Sequence, residues 1–131
     1  MYKARKHDFI SEPKPIVSPC PGTDKYELVK TFRFILNGEK FEIPYGFVFD
    51  GASIPKLFWA VTTSPYDPKV LRAAMVHDYL YSIAAVSRLI CDEVFHQILL
   101  MDGVEESLAL TMYSAVRLGG ESHFNEGGNV L

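Results

Sequence analysis

A single change of hydrophobic period constrains this chain more than any other feature. Between Tyr26 and Phe49 apolar side chains recur at alternate positions, and from Pro68 onward they recur at helical spacing. The alternating part predicts a strand over Tyr26–Leu36, with Leu28, Lys30, Phe32 and Phe34 on one face. Asn37-Gly38 follows, a pair that tolerates positive φ at both positions and so favours a type I′ hairpin turn. The return strand holds Phe41 and Ile43, and Pro44 then interrupts its ladder or places it at an edge. Tyr45–Phe49 reads as one more short strand, ending at Asp50-Gly51. Upstream, Pro13, Pro15, Pro19 and Pro21 block any helix, so residues 1–25 are expected to form an irregular arm or an edge strand.

The second half reads as helices. Ser53 is placed to cap a short helix with Pro55 in its first turn, and Asp67-Pro68 to open a longer one over Pro68–Ala84. Ser87 caps the next helix, which runs to Met101 and stops at Asp102-Gly103. A last helix, Glu105 to Leu118, ends at Gly119-Gly120 and is apolar almost all round. Residues expected in the core are Val70, Ala74, Leu80, Leu89, Val94, Phe95, Ile98, Leu108, Met112 and Val116. The fold expected is one α+β domain over 1–131. An antiparallel hairpin or small sheet (26–50) packs on a three- to four-helix half (53–118), and a mobile tail follows (119–131).

Composition narrows the function classes. The chain has 131 residues, 48% hydrophobic and 22% charged, which suits one globular domain. A net charge of −3 offers no general attraction to nucleic acid, and the basic cluster Lys3, Arg5, Lys6 reads as a solvated patch. Cys20 and Cys91 have no CxxC spacing and are expected to be unpaired thiols. No apolar run approaches the roughly 18 residues of a membrane span, and no signal-peptide pattern opens the chain. Action in the compartment of synthesis is the expectation.

The chemistry gathers on two neighbouring helices. His77 and Tyr81 are four residues apart and share one helix face, while Asp78 lies about 100° round. The following helix repeats the spacing with Asp92 and His96. A carboxylate on the far nitrogen of an imidazole fixes its tautomer and raises its basicity, as a base acting on water requires. In an ideal antiparallel pair turning near Val86, His96 rather than Asp92 comes level with His77. The same residues also suit a buried polar cluster that fixes helix packing, and Arg88 and Asp92 suit a surface ion pair.

From Tyr26 almost to Gly120 the chain resembles a phage- and prophage-borne family of unknown function. The resemblance rests on four ordered blocks: Phe49-Asp50-Gly51-Ala52-Ser53-Ile54-Pro55-Lys56 with Trp59; Ala73-Ala74-Met75-Val76-His77-Asp78-Tyr79-Leu80-Tyr81; Ser87-Arg88 through Asp92 to Phe95; and Met112-Tyr113-Ser114-Ala115-Val116-Arg117-Leu118-Gly119. More distantly, His77-Asp78 with Tyr81, followed by Asp92 and Phe95, is similar to the catalytic helix pair of phospholipases A₂. That second resemblance implies His77 as base, Asp92 as its orienting carboxylate and Tyr81 as a second partner for Asp92. It implies Asp78 as a Ca²⁺ ligand, and a metal loop near Tyr45-Gly46 or at Asp50-Gly51.

Three readings follow. The first is a calcium-dependent hydrolase of lipid or another ester. The second is a non-catalytic phage virion or tail accessory protein, or an inhibitor of a host system, that binds a phage or host protein and uses Ser53, Arg88 and the His–Asp–Tyr cluster structurally. The third is a transition-metal hydrolase using His77, Asp92 and His96, mixed N/O ligands suited to zinc. The resemblance places the protein in a bacterial host cytoplasm or a virion.

Overall fold

The computed structural model describes residues 6–50, 67–119 and 124. They fall into two compact units that divide after Asp50, where the sequence changes period. The expected short helix with Ser53, Pro55 and Trp59 lies outside the described residues, as does the expected tail apart from Phe124.

The first unit, His7–Asp50, holds two three-stranded antiparallel sheets. Its strands are β1 (Phe9–Ser11), β2 (Val17–Pro19), β3 (Tyr26–Leu28), β4 (Phe32–Leu36), β5 (Glu39–Ile43) and β6 (Val48–Phe49). One sheet has the order β1-β4-β5 and the other β2-β3-β6. The single strand expected over Tyr26–Leu36 is therefore two strands in two sheets. The break falls at Val29–Thr31, and Lys30 is exposed rather than on the inner face. Val29 N–H donates to the carbonyl of Ile16 and so extends the β2–β3 pairing by one residue, while Leu28 pairs with Phe47 and Gly46; β4 begins only at Phe32. The strand expected over Tyr45–Phe49 is confined to Val48–Phe49, after a turn in which Gly46 adopts φ +93.

The hairpin is as expected. Asn37 and Gly38 both take positive φ, 50 and 88, and close β4 onto β5 with Leu36 opposite Glu39. Asn37 also ties down β1: its Oδ1 accepts from Asp8 N–H, and its own N–H donates to the Asp8 carbonyl. The proline-rich arm supplies β1 and β2, each at the edge of its sheet, where missing N–H groups cost least. On the inner face of β1-β4-β5, Phe34 stacks on Phe41 at 5.0 Å and meets Phe9 at 5.7 Å.

The second unit holds α1 (Leu71–Ile83), α2 (Arg88–Met101) and α3 (Glu106–Gly119). Asp67 and Pro68 do not open α1 directly. Asp67 caps a preceding turn, taking Lys69 N–H on its side chain and Val70 and Leu71 N–H on its carbonyl. Ala84 ends α1 in the left-handed region, with φ 49. Ser87 caps α2 as expected, its hydroxyl accepting from Ile90 N–H at 3.2 Å. Asp102-Gly103 then closes α2.

Contacts between helix ends give their directions. Arg72 at the start of α1 forks onto Asp102 after the end of α2, at 2.7 and 3.1 Å. Arg88 at the start of α2 reaches the last carbonyls of α3. Each neighbouring pair is therefore antiparallel. Eight of the ten expected core residues are buried; Leu89 is 45% exposed and Leu108 is half-buried. α3 packs by one face, Ala109, Met112 and Val116, and leaves Leu110 and Leu118 exposed, so its near-uniform apolarity overstated its burial. Among the described residues no helix is long and apolar enough to cross a membrane. Two small antiparallel sheets and the helices that follow them make the α+β fold.

Candidate functional site: a buried His–Asp pair with Tyr and Arg donors

The site is centred on Asp92, in the first half of α2. His77 Nε2 lies 2.7 Å from Asp92 Oδ1, and the Tyr81 hydroxyl donates to the same oxygen at 2.6 Å. Arg117, near the end of α3, donates from Nη1 to the other oxygen at 2.7 Å. One carboxylate thus gathers donors from both neighbouring helices. The side chains of His77 and Asp92 are 0% exposed, while that of Arg117 is 33% exposed. The His77 ring sits between Tyr81, at 4.2 Å between centroids, and Phe95, at 4.9 Å. Phe124 meets Tyr81 edge-on at 5.3 Å.

The structure brings Asp92 to His77, although the sequence spacing, with a turn near Val86, favours His96 on level alone. His77 lies six residues before the end of α1, and Asp92 and His96 lie four and eight residues after Arg88. Both are therefore about 3 Å off its level in an antiparallel pair, and side-chain direction decides. Asp92 points to α1, whereas His96 stacks on Tyr113 of α3 at 5.1 Å.

Burial alone would raise the Asp92 pKa. The hydrogen bond and charge of His77, followed by the bonds from Tyr81 and Arg117, outweigh it and hold the carboxyl below its usual range. An ionised carboxylate only accepts, so His77 Nε2 carries the hydrogen between them. Tyr81 is pushed well above its ordinary value, first by burial and then by Asp92, and so acts as a donor rather than an acid. Arg117 is raised by its bond to Asp92. Beside this cluster Cys91 is a buried free thiol, raised to about 12 by burial and by Asp92, and is unreactive for that reason.

The other expected site residues are placed differently. Asp92 is buried rather than half of a surface ion pair, and Arg88 gives Nη2 to the carbonyls of Val116, at 3.0 Å, and Arg117, at 2.6 Å. It thereby satisfies orphan carbonyls at the end of α3 and sets the backbone that aims Arg117. Asp78 is half-buried on α1. Asp50 is half-buried at the end of the other unit, and Gly51 of its expected metal loop lies outside the described residues. Among the described residues no group of three or more His, Cys, Asp and Glu side chains could hold a metal ion. The zinc set His77, Asp92 and His96 is therefore not assembled: two of its members bond each other and the third turns to Tyr113. Arg117 belongs to the site although its residue type and spacing do not announce it. The available signal was a lone cation, one turn after Tyr113, in a helix that is otherwise apolar near its end.

His96 itself makes a pH prediction. Burial, followed by the charge of Lys6, lowers its proton affinity in the folded state below the ordinary value of about 6.5. Below that pH the unfolded chain binds a proton that the folded one refuses. Stability from this group is therefore complete above about pH 6.5 and falls as pH drops towards the folded value. Urea midpoints at about pH 7.5 and 5.5 should differ more for wild type than for His96→Phe, which keeps the stack on Tyr113. Equal differences would remove His96 as the cause.

Residues 26–116 match the model of a family described as "Protein of unknown function (DUF1353)". The chain is 34% identical over 92 residues to "Uncharacterized protein y4jT" of Sinorhizobium fredii (strain NBRC 101917 / NGR234), covering 70% of this chain and 27% of that protein. It is 31% identical over 98 residues to "Uncharacterized protein y4iH" of the same strain, covering 73% and 41%. The chain thus spans well under half the length of either relative. No solved structure matches it.

Proposed function

We propose that this chain, which belongs to the DUF1353 family of proteins of unknown function, uses His77 as a general base for hydrolysis of a carboxylic ester, with lipid esters as the substrate class. The observation behind this reading is the 2.7 Å bond from His77 Nε2 to an Asp92 oxygen that also accepts from Tyr81. It is the arrangement that the resemblance to phospholipases A₂ implies for a helix pair bearing these residues. Asp92 fixes the tautomer and stabilises the imidazolium that forms as the ring takes up a proton from water. Tyr81 and Arg117 keep Asp92 ionised, so the proton stays on the ring until it passes to the leaving alkoxide. Calcium enters the reading through Asp78, carried over by resemblance. The described residues do not by themselves build a calcium site, and the proton transfer needs only His77, Asp92 and Tyr81. The order of the four sequence blocks supports a phage or prophage origin within the family.

A second reading has its own observation. With 0% exposure at both side chains and donors on both of its oxygens, Asp92 is also what a purely structural clamp of three helices would look like. Hydrolysis of phospholipid vesicles and of a soluble chromogenic ester, with calcium and with chelator, separates the two. Wild type should turn over one of these substrates, and His77→Gln, which preserves volume and hydrogen bonding, should lose about 10²–10⁴-fold in rate while its melting temperature holds. Full activity in His77→Gln, or none in wild type, would assign the cluster to the clamp.

A further inference from the structure

We infer that the outer edge of β5 is a self-pairing edge, through which two copies of this chain join their β1-β4-β5 sheets antiparallel, centred on Phe41. The starting point is which backbone groups face outward. A two-residue turn makes Leu36 and Glu39 a hydrogen-bonded pair, and such pairs then alternate along the hairpin. Phe34–Phe41 and Phe32–Ile43 are therefore bonded pairs, while Ile35–Lys40 and Arg33–Glu42 are not. Arg33 confirms the parity, because its carbonyl and N–H both turn towards the β1 side, to Glu12 N–H and to Glu12 Oε1. The N–H and C=O groups of Lys40 and Glu42 thus point away from β4, along the free edge, and no backbone partner meets them among the described residues.

The charges select the register. On the outer face Glu12, Arg33 and Glu42 form a row that alternates in sign across the sheet, with Arg33 Nε 2.9 Å from Glu42 and Arg33 Nη1 3.8 Å from Glu12. That row ends on β5 with an acid. The next row, Ile10, Ile35 and Lys40, ends on β5 with a cation that has no ion-pair partner among the described residues. A two-fold axis through Phe41 sets Lys40 opposite the second copy's Glu42, twice. It makes both of these hydrogen-bonded pairs and continues the alternation of sign. A two-fold axis at residue 40 would oppose two lysines, and one at residue 42 two glutamates. Pro44 stops the ladder beyond Ile43. Charged residues also guard edges against any pairing. Here, however, their signs oppose two of the three two-fold registers and favour one.

Five-residue strands bury little area, so association should be weak, with Kd on the order of 100 μM. Sedimentation velocity of the full chain from low micromolar to about 1 mM should show monomer passing to dimer. Lys40→Glu and Glu42→Lys should each remain monomeric over that range. Their equimolar mixture should form a heterodimer, since every cross-strand pair is then opposite in sign. Melting temperatures of the two variants check that both are folded. A wild type monomeric throughout, a dimer unaffected by Lys40→Glu, or a mixture that stays monomeric would each overturn the inference. Dimer loss in the single variants with recovery in the mixture is the result expected of this edge alone.

Discussion

Replacing Asp92 by Ala should destabilise the protein by about 3–5 kcal/mol, because it removes the buried acceptor on which three donors converge and leaves the buried donors of His77 and Tyr81 unsatisfied. His77, Tyr81 and Arg117 all donate to that carboxylate. His77 and Tyr81 are almost completely buried, so water cannot replace the lost acceptor without opening the helix contact. Guanidinium or urea unfolding reads the effect directly. A loss below about 1 kcal/mol would mean that the cluster is hydrated and contributes little.

Asp92→Asn refines the same result. Its amide oxygen can still accept from His77 and Tyr81, but its NH₂ group then faces the Arg117 guanidinium, donor against donor. Arg117→Met should therefore destabilise wild type and be close to neutral in the Asp92→Asn background. Acid should show the same dependence. The folded carboxyl lies below its unfolded value of about 3.9, so its contribution is complete above that pH and is lost as pH falls through the folded value. In Asp92→Asn this part of the acid unfolding curve should disappear.

What could be read from the residues alone follows the range over which each signal acts. Asn37-Gly38, Ser87 and Asp102-Gly103 act within a few positions, and each terminates or caps the element expected of it. The hydrophobic period located α1, α2 and eight of ten core positions. It failed at Leu89, which is apolar yet lies in the first turn of α2, and along α3, where apolar residues on the outer side look like core residues. The split of Tyr26–Leu36 was hidden for a similar reason. Alternation continues through Lys30 although the backbone changes sheets there, and the partners that hold the first half, Ile16 and Phe47, are distant in sequence. The candidate site shows the same division. Tyr81 and His77 sit at helical spacing and were legible together. The choice between Asp92 and His96 was not, because a turn near Val86 favours His96 on level, whereas with the observed helix ends both stand equally far off and side-chain direction decides. Arg117 reaches Asp92 across 25 residues, with its backbone held by Arg88, and the local trace of that contact is a lone cation in an apolar helix end.

The aromatic face of the β1-β4-β5 sheet should be the other place where one side chain matters most. Phe34 is 2% exposed, stacks on Phe41 with planes 13° apart and touches Phe9 from the other neighbouring strand. Phe34→Ala removes the middle ring of three. It loses the transfer free energy of the ring and leaves a cavity that strands held by a tight turn cannot close, a cost of about 3–5 kcal/mol. The neighbour Ile35 has the same strand position and comparable apolarity but points to the other face, opposite Lys40 and Ile10. Ile35→Ala should therefore cost well under half as much, and the contrast between adjacent residues isolates facing from strand propensity. Far-UV circular dichroism through a urea titration gives both values, with Phe34→Leu as an intermediate that keeps apolar volume. If Ile35→Ala were as damaging as Phe34→Ala, the sheet would bury both faces, and the β4 register with its outward Arg33 and Ile35 would have to be abandoned.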